Sequence, residues 1–191
     1  MRAYEFTVVV SGVDLMDEAQ VDALFTNRFV LVPACQDGVT ILSAEVEAKD
    51  GAKAFTAFDQ YLAAALPASR ICRIDQDLVN TSEIATRLDK SRETVRKWAM
   101  GERRPRETFP PHYTVCGGQK LWLWADVFAW AARCGQALED EPIPLDPVFV
   151  ARYNGQHAAV SAAAASDLDR LLAFPGMTKR GRSSTAIREA A

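Results

Sequence analysis

The chain has 191 residues, of which 49% are hydrophobic and 25% charged, and a formal net charge of −3; this is ordinary globular composition, sized for one large or two small domains, and not that of a polycation. Cys35, Cys72, Cys116 and Cys134 are scattered without a C-x-x-C pair, and His112 and His157 stand alone, which speaks against a zinc site or a histidine catalyst and makes each cysteine a small core residue in a reducing compartment. The N-terminus lacks the basic-then-apolar pattern of a signal peptide and no run of about twenty apolar residues exists to span a bilayer, so a cytoplasmic protein without a membrane partner is expected.

Residues 4–11, YEFTVVVS, are β-branched and aromatic on both faces and predict a central strand. Gly12 and Asp14 break it. Residues 17–27 carry Val21, Leu24 and Phe25 at helical spacing; Asp14, Asp17 and Glu18 read as acids favoured by a helix N-terminus, in preference to a metal or catalytic cluster. Residues 29–33 predict a second strand, Asp37-Gly38 a hairpin turn and residues 39–46 a third strand. Residues 51–66 form an amphipathic pattern with Phe55, Phe58, Leu62 and Leu66 on one stripe. Pro67 stops it, and residues 70–75 predict a fourth, shorter strand. The order β-α-β-β-α-β predicts a ferredoxin-like two-layer sandwich over residues 1–76. Such a domain can bind a small molecule, pair with its own copy through an edge strand, or hold a partner protein.

Charge changes sign at the next segment. Residues 1–80 carry 6 basic and 12 acidic side chains, residues 81–120 carry 9 and 5, and residues 121–191 carry 7 and 8. A basic island in an acidic chain is the footprint expected of a nucleic-acid contact. After a short connector, Asn80 with Glu83 three residues on reads as a capping box. Ile84, Ala85 and Leu88 supply the buried side of a first helix, Asp89-Lys90 the turn, and Ser91 the cap of a second helix. That second helix turns Val95, Trp98 and Ala99 inward and Arg92, Glu93, Arg96 and Lys97 outward, with Glu93 and Lys97 spaced for an i,i+4 pair. Gly101 ends it. Arg103, Arg104 and Arg106 flank Pro105, and Pro110-Pro111 turns the chain. Residues 112–116 and 120–124 predict a hairpin with a Gly117-Gly118 tip, in which Trp122 and Trp124 anchor the hairpin to a core. Residues 126–134 form the last helix of this unit.

The segments NTSEIATRLDKSRETVRKWAMGERRP, TFPPHYTV and KLWLWADVFAW resemble the MerR- and excisionase-like winged helix-turn-helix proteins of actinobacteria, and the strand order before them resembles the front segment of many such proteins. The resemblance covers the middle third of the chain and, by pattern only, the front. It implies a winged helix-turn-helix over residues 77–136 that binds double-stranded DNA, with Arg92, Arg96 and the Arg103/Arg104 pair at DNA-facing positions. Against the family pattern, the turn position usually held by Gly is Asp89, which tolerates a left-handed backbone. The Ser usual before the final helix is Ala125, which removes a cap worth about 1 kcal/mol.

Residues 137–146 read as an acidic, proline-containing linker. Residues 147–174 read as one long or broken helix whose apolar stripe packs on the front domain or pairs with a second subunit, the two being equally consistent with the spacing. Residues 175–191 form a basic tail, either a disordered solubilising segment or an arm that follows DNA phosphates. The fold expected is therefore α+β: a ferredoxin-like sandwich, a central winged helix-turn-helix, and a C-terminal helix and tail. The function expected is a sequence-specific DNA-binding transcriptional regulator of the bacterial cytoplasm and nucleoid. In it Arg92, Glu93 and Arg96 contact bases, while Ser91, Lys97, Arg103, Arg104, Arg106, Gln119 and Lys120 contact phosphates. One module reads few base pairs, so a homodimer is expected. The alternative is an antitoxin-like or adaptor protein whose acidic front domain binds a partner and whose helix-turn-helix serves autoregulation. No nucleophile motif, phosphate loop or metal-ligand spacing is present, so neither catalysis nor a cofactor is expected.

Overall fold

Alternation along β1 (Arg2–Ser11) decides the first layer. Tyr4, Phe6, Val8 and Val10 are all buried on one side of the strand, and Val9 is buried on the other. The computed structural model describes residues 1–26, 29–102, 107–136 and 141–158, and over these the protein is α+β. After β1 come α1 (Glu18–Leu24), β2 (Val30–Gln36), β3 (Val39–Ala48), α2 (Gly51–Ala65) and β4 (Arg70–Ile74). The sheet order is β2-β3-β1-β4 with antiparallel neighbours. That is the split βαβ arrangement the element order predicts, with β1 central. Gly12, φ +73°, leaves β1 where a Cβ would stand 2.4 Å from the Ala68 carbonyl oxygen, so no other residue fits. Asp37 and Gly38 both have positive φ, 48° and 79°, as a tight hairpin turn requires. The helix α2 buries Ala54, Phe55, Phe58 and Leu62, and the Phe6 ring meets those of Phe55 and Phe58 at 5.5 and 5.4 Å.

A second core follows, built on β5 (Leu78–Val79), α3 (Thr81–Arg87), α4 (Arg92–Ala99), β6 (Thr114–Cys116), β7 (Gln119–Leu123) and α5 (Trp124–Arg133). The strands form a small antiparallel sheet, β5-β7-β6. The connector after β4 is thus partly strand, because Leu78 and Val79 pair with Leu123 and Trp122. Val79, Ile84, Leu88, Val95, Trp98, Phe109, Trp122 and Trp130 fill this core. The rings of Trp98 and Phe109 lie 5.0 and 4.8 Å from Trp130, and the Trp122 and Trp130 indoles donate to the Pro110 and Glu107 carbonyls. Trp122 and Trp124 are buried, as their alternation with leucines predicts.

The stretch expected to be a plain linker then returns to the front layer. β8 (Ile143–Pro144) pairs in parallel with Tyr4 and Glu5 of β1, on the edge that β4 leaves free. Residues 147–158 are helical (α6). Leu145 and Val150 are buried in the front core, and the rings of Phe149 and Tyr153 pack on Phe55 at 5.6 and 4.7 Å. Over its described residues this helix therefore packs in cis; residues 159–174 and the tail 175–191 lie outside the described residues. Met1–His157 form one compact unit holding both cores.

Two local expectations are corrected. The final helix of the second core starts at Trp124, and its N-cap is Leu123, without a side-chain cap; Ala125 lies inside the first turn, so a serine there would not cap it. Cys35, Cys72 and Cys116 are exposed and Cys134 is half-buried. They fall on an edge strand, on β4 and at a hairpin tip, where little is packed over the side chains.

Candidate nucleic-acid interface

Local chemistry fixes both ends of the two short helices. Asn80 Oδ1 accepts from the Ser82 and Glu83 amides at 2.8 and 3.1 Å, and Glu83 Oε2 accepts from the Asn80 amide at 2.7 Å, which is the predicted capping box. At the other end of α3, Asp89 takes φ 51°. The Asp89 and Lys90 amides then donate back to the Thr86 and Ala85 carbonyls at 3.2 and 2.8 Å, a Schellman closure. Ser91 begins α4 immediately, its Oγ accepting from the Thr94 amide at 3.1 Å. Gly101 repeats the closure: the Glu102 amide donates to the Lys97 carbonyl at 2.9 Å, which folds Glu102 back against the last turn of α4.

With both ends fixed, α4 presents one face to each environment. Val95 and Trp98 are buried, while Arg92, Glu93 and Arg96 are exposed and Lys97 is half-exposed. The outward cations are not all free. Arg96 donates through Nε and Nη2 to the two Glu93 oxygens, both at 2.8 Å, and lies 3.6 Å from Glu102; Lys97 Nζ is 3.6 Å from Glu93. The expected i,i+4 pair exists, but the i,i+3 pair with Arg96 is the closer contact. The Arg96 hydrogen bonds hold the Glu93 carboxyl at about 2, and Glu93 in turn raises the Arg96 guanidinium. Among the described residues, no ion pair includes Arg92 or Lys120.

A groove of about 400 Å³ separates α4 from the β6–β7 hairpin. Arg92 and Arg96 line one wall, Gln119 and Lys120 the hairpin wall, and Asn80–Ser82 the end. Four of the sequence-predicted contact residues, from two elements, thus meet at one concave, cationic surface. Ser91, Glu93 and Lys97 stand outside the groove lining, and the Ser91 hydroxyl is engaged as a cap. Arg103, Arg104 and Arg106 lie outside the described residues. Sequence reasoning missed Glu102, whose position follows from Gly101: a positive-φ residue just past the helix turns the next side chain back over it. It also missed the support beneath α3, where Arg87 grips Asp77 and stacks 4.8 Å over the Trp124 ring.

Asp14 and Asp17, near the first turn of the chain, accept from the Met16 and Ala19 amides and so serve as turn and cap. Among the described residues, no group of three or more His, Cys, Asp or Glu side chains is arranged to hold a metal ion, and no helix is long and apolar enough to cross a membrane. No protein-family model, curated protein or solved structure matches this chain.

Proposed function

We propose that this protein is a sequence-specific double-stranded DNA-binding transcriptional regulator, a non-enzymatic protein of the bacterial cytoplasm related to the MerR- and excisionase-like winged helix-turn-helix proteins. The observation that carries the reading is the groove in which Arg92 and Arg96 of an exposed, two-end-capped helix face Gln119 and Lys120 of a hairpin. A helix of this kind enters the major groove, where Arg92, in no ion pair among the described residues, reads a guanine edge. Gln119 and Lys120 hold the sugar–phosphate strand that runs between helix and hairpin, and fix the register. Effective specificity calls for two copies on a two-fold site.

Binding of the purified full chain to genomic fragments, including its own upstream region, over a salt series tests this. A preferred sequence is expected, with affinity falling by a log–log slope of about −0.9 for each phosphate contacted. Arg92→Ala should reduce discrimination at one base pair by about 5- to 150-fold, whereas Lys120→Ala should weaken all sequences alike. Absence of any sequence preference at every salt concentration rejects the reading.

A further inference from the structure

We infer that Glu93 is a specificity-determining residue that acts by positioning Arg96, an inference that rests on the DNA-binding reading above. The outer face of α4 carries Arg92, Arg96 and Lys97 within two turns, and of these three Arg92 alone has no ion pair among the described residues. Glu93 occupies the Nε/Nη2 edge of Arg96 with two bonds of 2.8 Å, and Glu102 stands 3.6 Å from the same Nη2. An isolated exposed ion pair holds geometry weakly, but a bidentate arginine–carboxylate pair inside a network is the arrangement that persists.

Two consequences follow for a nucleic-acid partner. First, Arg96 and Lys97 are balanced by Glu93 and Glu102, so they add little to the attraction for phosphate, which Lys120 supplies within this groove. Second, the Arg96 guanidinium is held in place, with Nε and Nη2 taken by Glu93 and Nη1 on the Met100 sulfur at 2.7 Å, so an acceptor finds its remaining N–H at a fixed place. The carboxylate beside it repels a phosphate and accepts a hydrogen bond only from a donor such as a cytosine amino group. A duplex shifted in register therefore meets a carboxylate where it offers an acceptor. Glu93 excludes wrong sites more than it strengthens the right one.

The test compares the full-length wild type with Glu93→Gln and Glu102→Gln. The probes are a duplex selected by the wild type from a random pool and a scrambled duplex of equal length, across a salt series. Glu93→Gln frees Arg96 and Lys97 for phosphates, so its salt slope is expected to steepen by about one to two. The scrambled duplex should bind more tightly, and the selected-to-scrambled ratio should fall about tenfold or more. Glu102→Gln should shift both in the same direction by less. A merely structural Glu93 would weaken both duplexes equally and leave the slope unchanged; that result overturns the inference. An unchanged ratio in Glu93→Gln overturns it too. A wild type that selects no sequence sinks the DNA-binding reading itself, before any variant is compared.

Discussion

Asp89 carries the sharpest conformational demand on a single residue in the second core. It holds φ 51° so that the last turn of α3 can close and Ser91, two residues later, can cap α4. An L side chain in that region costs about 1–2 kcal/mol, and glycine escapes the cost while adding freedom to the unfolded chain. Asp89→Gly should therefore stabilise the protein by about 0.5–1 kcal/mol, seen as a higher melting temperature; a lower one would mean that the carboxylate makes an unrecognised contribution. This position was legible beforehand, because Asp is among the few residues that adopt such a backbone. The Asn80/Glu83 box was legible for the same kind of reason, a fixed spacing with one chemical use. The choice of Glu93 between Arg96 and Lys97 was not: both lie one turn away, and rotamers decide. Exposure of Cys35, Cys72 and Cys116 was equally hidden, since burial depends on what the rest of the chain lays over them.

Among the elements, α6 is attached to the front layer in an unusual way. The Asn154 side chain accepts from the Ile74 amide and donates to the Ile74 carbonyl, both at 2.8 Å. It takes the place that another strand's peptide group would occupy at the edge of β4. Asn154→Ala would leave two half-buried backbone groups without partners, at a cost of about 1–3 kcal/mol. Urea unfolding should register that loss, and exchange of the Ile74 amide should accelerate; a protected Ile74 amide in the variant would contradict the role given to Asn154. Of the long elements, β3 and α2 could be read from period-2 and period-3.6 patterns, and β1 from its run of β-branched and aromatic residues. β5 and β8, two residues each, have no period to read. They are strands only because a partner edge is there to pair with them.

For the whole molecule, the main outcome is that two cores share one unit, with the junction between them acidic. Glu5 is solvent-accessible on β1, but its carboxylate is partly desolvated there and faces Asp77, Glu141 and Glu45. Burial first, and then Asp77, raise its pKa above the usual carboxylate value, while Arg87 opposes them. A carboxyl whose folded pKa is raised adds stability below its unfolded value, and that stability is lost as pH rises through the folded value. Glu5→Gln should hence raise the melting temperature at pH 7 and make little difference at pH 4. A variant equally changed at both pH values would show that packing, not ionisation, is responsible. The α+β class and the order of the front elements were readable from the sequence, because each depends on local pattern. The return of the chain to β1 after the second core was not, because acidic and proline-rich residues read as linker wherever they lead.

That return has a consequence for the order in which the protein is made. The front core closes only when Leu145 and Val150 reach it, and the Asn154 clasp joins residues 80 positions apart. During synthesis, β1 must wait for its last neighbour while the second core, built from contiguous chain, can already be finished. The residues of β1 thus leave the ribosome before those of the second core and are sealed after them, and a polypeptide cut after residue 76 would display Tyr4 and Phe55 where Leu145, Phe149 and Tyr153 should lie.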